Sequence, residues 1–436
     1  MKNEKLLMDY NDKPETGKWF ALSFQHVFAM FSATVLVPLL TGLPVSIALF
    51  SSGLGTLIYI LCTKGKVPMY LGSSFAYLTY IGTVLTAVDG GRGALILAIL
   101  AVGLIYTIVS FVIKACGTKW LTKILPPVVV GPMIIIIGLC LAGTAVSQTG
   151  LVAGGSWKAI VVSLSTLVIT ACLAIKGKGF FKIIPFLLGI VGGYIVALAL
   201  NWLPGDRLFD FTGLVNVLKT PKLWFAFPEF TFLGFENKEI FLGMHTVKAN
   251  FNYVVPVIPI AFATICEHIG DHQVLGKITG KNYTEEPGLD RTLLGDGLAT
   301  LVAGLMGSVP NTSYGENTAV VGMTKIGSVW VTGLAAVIAV CLSFFNVFTQ
   351  LISTIPTPVM GGICLVLYGF IASNGLKVLF DNKIDMTSSR NLIIISVMLI
   401  IGLGGATLLG FGGMALASIF GILLNAFLPK EETTQE

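Results

Sequence analysis

Charged residues are scarce in this chain. Asp, Glu, Lys and Arg make up only 11% of its 436 residues, whereas hydrophobic residues reach 55%, and a soluble domain carries roughly 25% charged residues. Apolar stretches near twenty residues long recur from end to end, the length that a helix needs to cross a hydrocarbon core. The composition therefore excludes a single soluble domain and predicts an all-α integral membrane protein.

Motifs of enzymes and metal sites are also missing. The sequence has no H-E-x-x-H pair and no G-x-S-x-G elbow, which an intramembrane hydrolase would need. Its seven cysteines stand singly without C-x-x-C spacing, so we interpret them as small buried hydrophobes. We expect no enzyme activity, no bound metal and no cofactor other than a coupling proton.

The first lysines are not followed by an apolar run of signal-peptide type, so we expect no cleavage and interpret the first long apolar stretch as a membrane span. Hydropathy predicts about fourteen spans. They cover residues 20–40, 45–63, 69–87, 93–113, 125–146, 158–175, 183–203, 252–275, 290–307, 311–324, 328–349, 355–373, 391–408 and 412–428.

Lys and Arg alternate between rich and poor in successive loops. By the positive-inside rule the basic loops and both termini face the cytoplasm, which also requires an even number of spans. This arrangement accounts for the net charge of +5 without a nucleic-acid partner. The long polar segment 204–250 then lies on the opposite side, and its aromatic content indicates that it rests on the membrane surface.

The two halves of the chain share four motifs in the same order. "QH" at Gln25, "GLGTL" at Gly53, "VP" at Val67 and "PVVVG" at Pro127 recur as "EH", "GLATL", "VP" and "PVMGG" 231 to 244 residues later. Such self-similarity indicates a duplicated unit. With seven spans in each unit the second copy must enter the membrane from the other side, as in the inverted repeats of secondary transporters.

The third repeated motif marks a broken helix in each half. "VPMYLGSSFAYLT" and "VPNTSYGENTAVV" each open with Pro and a Gly/Ser/Thr-rich run, and irregular backbone at this depth is tolerated only where it is buried or lines a cavity. The half-helices that follow would point unpaired N–H groups and a partial positive charge at that cavity. Those N–H groups should begin near Phe75, Tyr314 and Gly315.

Acidic residues in these apolar regions are the strongest indication of a site. Glu267 lies mid-span and Glu316 in the second broken segment, without Lys or Arg within a helical turn, and an intramembrane carboxylate is by default a functional hypothesis. Both carboxylates could accept N–H groups from a ligand. Asp271, four residues after Glu267, shares its helix face, and close carboxylates disfavour joint ionisation. One of them is expected to carry a proton.

Other polar residues are open to two interpretations. His268 and His272 are as well explained by core hydrogen bonds as by proton transfer, and Asp296 either faces the cavity or caps a polar pocket. Gln25 and His26 are interpreted as packing around the site, and Tyr368 as a core aromatic.

Five motifs together resemble the nucleobase-ascorbate transporter family (nucleobase:cation symporter-2), most closely its bacterial uracil permeases. They are "SFQHVFAMFSATVLVPLLTG", "GKVPMYLGSSFAYL", "EHIGDHQVLGKI", "PNTSYGENTAVVGMTK" and "IPTPVMGGICLVLYG", and the likeness runs from about residue 18 to 428. Glu316, Asn317, Thr324 and Lys325 fit the family signature, whereas Ala319 stands where Gly is usual. Some uracil permeases carry His at the position of Asp271, which leaves Asp271, His268 or Glu267 as the proton carrier.

The resemblance implies a fold of two domains and short antiparallel strands in broken segments 3 and 10. A core domain would comprise residues 19–115 and 251–350, and a gate domain residues 120–203 and 351–428. The extracytoplasmic loop 204–250 and cytoplasmic tails 1–18 and 429–436 would complete the chain. Family members are typically homodimers in the cell membrane.

The resemblance also implies residue roles. Glu267 and Glu316 would bind the N–H edges of uracil, amides at Phe75 and Gly315 its carbonyls, and Tyr314 and Phe75 would flank the ring. The expected function is proton-coupled uracil import by alternating access. The alternatives are a purine transporter of the family, whose members usually place Gln where Glu316 stands, and an anion carrier of related inverted-repeat fold.

Overall fold

The computed structural model describes residues 6–86, 91–178, 181, 184–230, 254–408 and 411–429, and most of them are helical. In the first half the helices are α1 (Thr16–Thr41), α2 (Val45–Cys62), α3 (Leu78–Thr86), α4 (Arg92–Cys116), α5 (Lys119–Ile124), α6 (Pro127–Cys140), α7 (Ala142–Thr149), α8 (Trp157–Lys176), α9 (Pro185–Asn201) and α10 (Thr212–Lys219). One strand, β1 (Leu71–Ser73), precedes α3.

In the second half the helices are α11 (Ile258–Thr279), α12 (Leu289–Leu305), α13 (Gly315–Thr324), α14 (Val329–Ser343), α15 (Asn346–Ser353), α16 (Thr357–Asp381), α17 (Ser389–Leu403) and α18 (Gly413–Phe427), with strand β2 (Asn311–Ser313) before α13. Short 3-10 turns cover Phe75–Tyr77, Pro221–Leu223 and Val255–Val257, and a π turn covers Thr284–Gly288.

Six helical stretches are long and apolar enough to cross a membrane. They are Thr16–Thr41, Val45–Cys62, Arg92–Cys116, Pro127–Thr149, Trp157–Lys176 and Thr357–Asp381. Five further apolar helices are shorter, at Phe75–Thr86, Pro185–Asn201, Val329–Ser343, Ser389–Leu403 and Gly413–Phe427. This set of apolar helices is that of an integral membrane protein, since about twenty helical residues span the hydrocarbon core.

Some predicted boundaries differ from the structure. The span predicted at 328–349 is divided, because α14 ends at Ser343 and α15 begins at Asn346. Between them Phe344 O accepts from Ala226 N at 3.0 Å, and Asn346 N donates to Trp224 O at 2.8 Å. These backbone groups therefore bond to a distant segment, which residue periodicity does not reveal. The span predicted to end at 373 continues to Asp381.

The segment before α1 is packed onto the protein. Leu7 N donates to Lys325 O at 2.8 Å, and Gly327 N donates to Met8 O at 2.9 Å. Asp9 forms an ion pair with Lys281. Residues 7–10 of the predicted tail 1–18 thus lie along the connection between α13 and α14, and α1 already begins at Thr16. The predicted tail 429–436 lies outside the described residues, apart from its first residue.

The helices pack in two groups. In one, α12 lies against α4 and α2, and α14 lies against α2 and α1; in the other, α16 lies against α6, α7 and α8, and α17 lies against α18 and α6. Glycine permits the close approach: a Cβ atom on Gly53 would stand 2.5 Å from Ala336 O. Helix α11 touches members of both groups, since it contacts α4, α6 and α18.

Two short strands form a hydrogen-bonded pair where the broken segments meet. β1 pairs antiparallel with β2, with Leu71 opposite Ser313 and Ser73 opposite Asn311, as the family resemblance implies. The outer edge of β1 is occupied by α2, whose Ser52 Oγ donates to Leu71 O at 2.7 Å and whose Thr56 Oγ1 accepts from Leu71 N at 2.9 Å. These bonds supply partners that the membrane interior cannot.

Candidate functional site

A cavity of about 210 Å³ opens where the strand pair meets α11 and α16. It is lined by Phe75, Ala76, Ile137, Phe186, Glu267, Asp271, Thr312, Ser313, Tyr314, Gly315, Glu316, Leu367, Phe370, Ile371 and Asn374. The five residues predicted to bind substrate therefore lie together, with Asp271 beside them. The polar lining comes chiefly from α11 and the second broken segment, while α6, α9 and α16 supply mostly apolar side chains.

Two helical turns begin at this cavity. α13 starts at Gly315 and the 3-10 turn of the other broken segment starts at Phe75, and neither has a side-chain cap. The first amides of a helix have no partner within it and carry partial positive charge. The cavity therefore offers N–H donors from both segments to a ligand with carbonyl oxygens.

Three carboxylates face the same space. Glu267 and Asp271 are one turn apart on α11, and Glu316 lies in the first turn of α13. All three are half-buried, and within the described part of the chain none forms an ion pair with Lys or Arg. They are thus available as acceptors for ligand N–H groups, close to the donors of the helix ends.

Gly315 leaves space for a ligand at the N-terminus of α13. The nearest atom to a Cβ built on this residue is Asp271 Oδ1, at 3.9 Å. Any side chain at this position would project toward Asp271. The glycine therefore keeps open the space in which a ligand can reach both the helix amides and a carboxylate.

The ring of Tyr314 is held by the strand pair. Its hydroxyl donates to Ser73 O at 3.0 Å and accepts from Thr34 Oγ1 at 3.2 Å. A Cβ atom on Gly72 would stand 2.4 Å from the ring, so only glycine fits beneath it. Tyr368 is buried and packs edge-on against Phe75, with 6.4 Å between ring centroids. This contact helps to fix the position of the Phe75 ring at the cavity.

His268 and Asp296 form a buried pair outside the cavity. His268 Nδ1 lies 2.7 Å from Asp296 Oδ2, and both side chains are fully inaccessible. Ser313 Oγ, in the cavity wall, lies 3.2 Å from His268 Nδ1 and 3.3 Å from Asp296 Oδ2. Serine and aspartate share one imidazole nitrogen here. A nucleophilic triad uses opposite nitrogens, so this arrangement does not fit a hydrolase.

His272 is fixed one turn further along α11. Its Nδ1 lies 2.7 Å from the carbonyl of His268, and its Nε2 is bonded to the hydroxyl of Tyr59. A carbonyl only accepts, so Nδ1 carries the proton and Nε2 accepts from the phenol. These contacts describe a neutral histidine that ties α11 to α2.

His26 and Asn317 fasten α1 to α13. Asn317 Nδ2 donates to the carbonyl of His26 and lies equally close, 3.1 Å, to His26 Nδ1. Both side chains are buried, while the neighbouring Gln25 is half-buried. None of the three is among the residues that line the cavity.

Several cavity residues did not emerge from the sequence. Thr312 and Ser313 lie beside the predicted Tyr314 but carry no charge that marks them, and Asn374 is a polar residue in the long apolar helix α16. The apolar residues of α6, α9 and α16 resemble ordinary membrane residues in sequence. Only the polarity of Asn374 within an apolar span was a detectable signal.

Known proteins resemble this chain in sequence over almost its whole length. The family model Xan_ur_permease, described as the permease family, matches residues 17–411. A uracil permease of Bacillus caldolyticus is 45% identical over 99% of this chain and 97% of its own length. A uracil permease of Bacillus subtilis is 44% identical over 100% and 98%, and one of Escherichia coli K12 is 38% identical over 95% and 92%.

Solved structures resemble the chain in fold. The transmembrane domain of the cyanobacterial bicarbonate transporter BicA aligns with a TM-score of 0.62 at 15% identity, covering 93% of this chain and 97% of that domain. The murine anion transporter Slc26a9 in an inward-facing state aligns with a TM-score of 0.67 at 13% identity, covering 96% and 69%. At these identities the likeness concerns the fold alone.

Proposed function

Because the chain belongs to the permease family whose model spans residues 17–411, we propose that this membrane transporter imports uracil together with protons by alternating access. The main evidence for uracil as the substrate is the full-length similarity to several uracil permeases, at 38 to 45% identity. A permease binds and releases its substrate unchanged, so the protein is a transporter and not an enzyme.

The chemistry of the cavity supports uracil as the ligand. Uracil is a planar ring that alternates two carbonyl oxygens with two N–H groups. The amides at Phe75 and Gly315 donate to the carbonyls, and the carboxylates of Glu267 and Glu316 accept from the N–H groups. Phe75 and Tyr314, which both line the cavity, flank the uracil ring, and the hydroxyl of Tyr314 also bonds to the strand pair.

The cavity of about 210 Å³ accommodates a planar nucleobase. The preference for a pyrimidine over xanthine or urate, the alternative within the family, rests on the similarity to uracil permeases.

The charge of the site supports proton coupling. Three carboxylates share one low-dielectric cavity, where joint ionisation is unfavourable, and no Lys or Arg in the described chain compensates them. Binding of a proton and of uracil would neutralise and pair them. This lowers the cost of moving the site past the apolar side chains of α6, α9 and α16.

The proposed architecture is fourteen segments in a seven-plus-seven inverted repeat, with both termini cytoplasmic. Repeated glycines support it: Gly53 in α2 packs on α14, and its counterpart Gly297 in α12 packs on Tyr106 and Thr107 of α4. The proposal includes a core domain (19–115, 251–350) and a gate domain (120–203, 351–428), and the packing of the helices in two groups supports this division. A homodimer in the cell membrane is part of the proposal by family resemblance.

Uptake of labelled uracil into cells lacking their own uracil permease tests the function. We expect uptake that is abolished by a protonophore and inhibited by excess uracil but not by xanthine. Uptake that persists after the proton gradient collapses would contradict the coupling. Inhibition by xanthine alone would favour the purine alternative, and transport of bicarbonate or chloride without uracil would favour an anion carrier.

Substitution of Glu316 tests whether its carboxylate binds uracil. Glu316→Gln removes a charged acceptor but keeps the shape of the side chain. Since a hydrogen bond to a charged group contributes about 1.5–3 kcal/mol, uracil affinity should fall about 10- to 100-fold. A thermal-shift titration of purified protein measures the change, with Glu229→Gln outside the cavity as the matched control. Unchanged uracil affinity would remove Glu316 from the site.

A further inference from the structure

We propose that a second cavity, between α11 and helices α5, α6 and α16, binds a neutral nucleobase on its way from the substrate cavity to the cytoplasm. The substrate cavity is the one lined by Glu267 and Glu316, and we call the second one the inner cavity. The proposal rests on the proposed uracil transport and adds a binding site to it.

The inner cavity is about as large as the substrate cavity. It encloses about 220 Å³, compared with about 210 Å³, so a planar nucleobase fits either space. Apolar side chains of α5, α6, α11 and α16 form most of its wall, and the amides of Gln273 and Asn382 are its main polar groups. An apolar wall with a few polar groups is typical of sites for small molecules.

The two cavities lie side by side along the same helices. On α11, Asp271 lines the substrate cavity, and the adjacent Gly270 lines the inner cavity. On α16, Asn374 lines the substrate cavity, and Val378, one turn further along, lines the inner cavity. A ligand that leaves the substrate cavity along α16 therefore reaches the inner cavity.

The inner cavity lies toward the proposed cytoplasmic side. Its wall includes residues of α5, which carries Lys119 and Lys123, and Asn382, which is followed by Lys383. Basic connections of this kind face the cytoplasm by the positive-inside rule. The inner cavity would therefore receive uracil during release into the cell.

Gly270 keeps the inner cavity open. It lies within α11, where glycine is an unfavourable residue, yet a Cβ atom built on it would have open space around it. Close packing of helices therefore does not explain the glycine. A larger side chain would occupy the inner cavity, just as a side chain at Gly315 would occupy the substrate cavity.

The polar groups of the inner cavity suit a neutral ligand with N–H and C=O groups. Gln273 is exposed, and its amide presents a donor beside an acceptor, as does each N–H and C=O edge of uracil. Asn382 Nδ2 donates to Val378 O at 2.8 Å, which leaves Oδ1 as an acceptor for the ligand. Among the described residues that line this cavity there is no Asp, Glu, Lys or Arg, so a charged ligand would lack a counter-charge.

This difference in charge ranks the two sites by affinity. Hydrogen bonds to carboxylates are stronger than hydrogen bonds to neutral amides. The inner cavity should therefore bind uracil about tenfold more weakly, or weaker still, than the substrate cavity. A weaker site on the cytoplasmic side allows uracil to dissociate into the cell.

Equilibrium dialysis of labelled uracil against the purified full-length protein counts the sites. Wild type should bind two uracil molecules per chain, the second about tenfold or more weakly than the first. Gly270→Leu fills the inner cavity and should bind one molecule with the affinity of the stronger wild-type site. Gly369→Leu is the matched control, because a Cβ atom there also has open space around it but the residue is not among those that line either cavity. It should bind two molecules.

A second variant keeps the test valid if Gly270→Leu does not fold. Gln273→Leu removes the donor and the acceptor of the amide while keeping a side chain of similar size. The affinity of the weaker site should fall about threefold to tenfold, and that of the stronger site should stay unchanged.

Three outcomes would contradict the proposals in different ways. A wild type that binds only one uracil molecule would overturn the inner site and leave the transport function in place. An unchanged weaker site in Gly270→Leu or in Gln273→Leu would overturn its assignment to the inner cavity. A wild type that binds no uracil would overturn the proposed function itself.

Discussion

Glu316 shows how the site combines two kinds of group within a single turn. Its carboxylate lies beside the unpaired amides at the start of α13, so acceptors and donors for a planar ligand are only a few atoms apart. Glu267 supplies the second carboxylate from α11. A ligand that alternates N–H and C=O groups around one ring matches this arrangement better than an anion does.

Gly315 provides a prediction at the scale of one residue. Gly315→Ala adds a methyl group whose nearest protein atom is Asp271 Oδ1, 3.9 Å away, so the fold should not be destabilised. The methyl group does occupy ligand space. One extra methylene group in a pocket changes the free energy of ligand binding by about 1–3 kcal/mol. Uracil affinity should therefore fall about tenfold or more in a binding assay. Gly369→Ala, where a Cβ meets nothing within 4 Å, is the matched control and should bind normally.

At the scale of elements, α11 has the central position. It carries Glu267 and Asp271 into the cavity, holds His268 against α12, and contacts helices of both packing groups. The strand pair is the second element of the site, since it places the starts of two helical turns at one cavity. Displacement of α11 relative to these strands would separate the carboxylates of Glu267 and Asp271 from the amides at the starts of the two helical turns.

Helix packing around the strands depends on close backbone contact. Gly53→Val would place Cβ 2.5 Å from Ala336 O, an atom of the backbone that cannot turn aside. Overpacking of this kind costs about 1–3 kcal/mol or more, so the purified variant should unfold at lower temperature or fail to accumulate in the membrane. Gly333→Ala, where the nearest atom is 3.6 Å away, should retain wild-type stability. Equal stability of both variants would contradict the close contact.

A surface ion pair gives a prediction about pH. Lys66 Nζ lies 2.5 Å from Glu286 Oε1; this contact lowers the pKa of Glu286 below its ordinary 4.5 and raises the pKa of Lys66 above its ordinary 10.5. The stabilisation contributed by Glu286 is lost as the pH falls through its lowered pKa, and that of Lys66 is lost as the pH rises through its raised pKa. Between these limits the pair stays charged. Glu286→Gln should therefore leave the shape of the uptake profile unchanged between about pH 5.5 and 8, and a shifted profile would assign pH sensitivity to this pair.

At the scale of the whole molecule, the orientation is open to direct measurement. In a variant without native cysteines, Arg207→Cys should react with a membrane-impermeant maleimide on intact cells, because the segment 204–250 is proposed to be extracytoplasmic. Lys178→Cys should react only after the cells are opened, since its basic loop is proposed to face the cytoplasm. Both positions are exposed. The reverse pattern of labelling would invert the proposed topology.

The sequence by itself determined the class of the protein and identified the carboxylates that line the candidate cavity. Low charge and apolar runs of membrane length require a membrane protein whatever the packing, because the bilayer tolerates few uncompensated charges. Glu267, Asp271 and Glu316 stood out for the same reason. The broken segments were also predictable, since Pro and Gly within an apolar region interrupt a helix locally.

Only the tertiary structure decided which polar residues face the cavity and which bond to each other. His268, His272 and Asp296 have similar sequence surroundings, yet His268 pairs with Asp296, while His272 is bonded to Tyr59. The ring of Tyr314 lies on Gly72, about 240 residues away in the chain. The apolar side chains of α6, α9 and α16 join the site through contacts between distant helices. Periodicity reports only local structure, and these partners are fixed by three-dimensional packing.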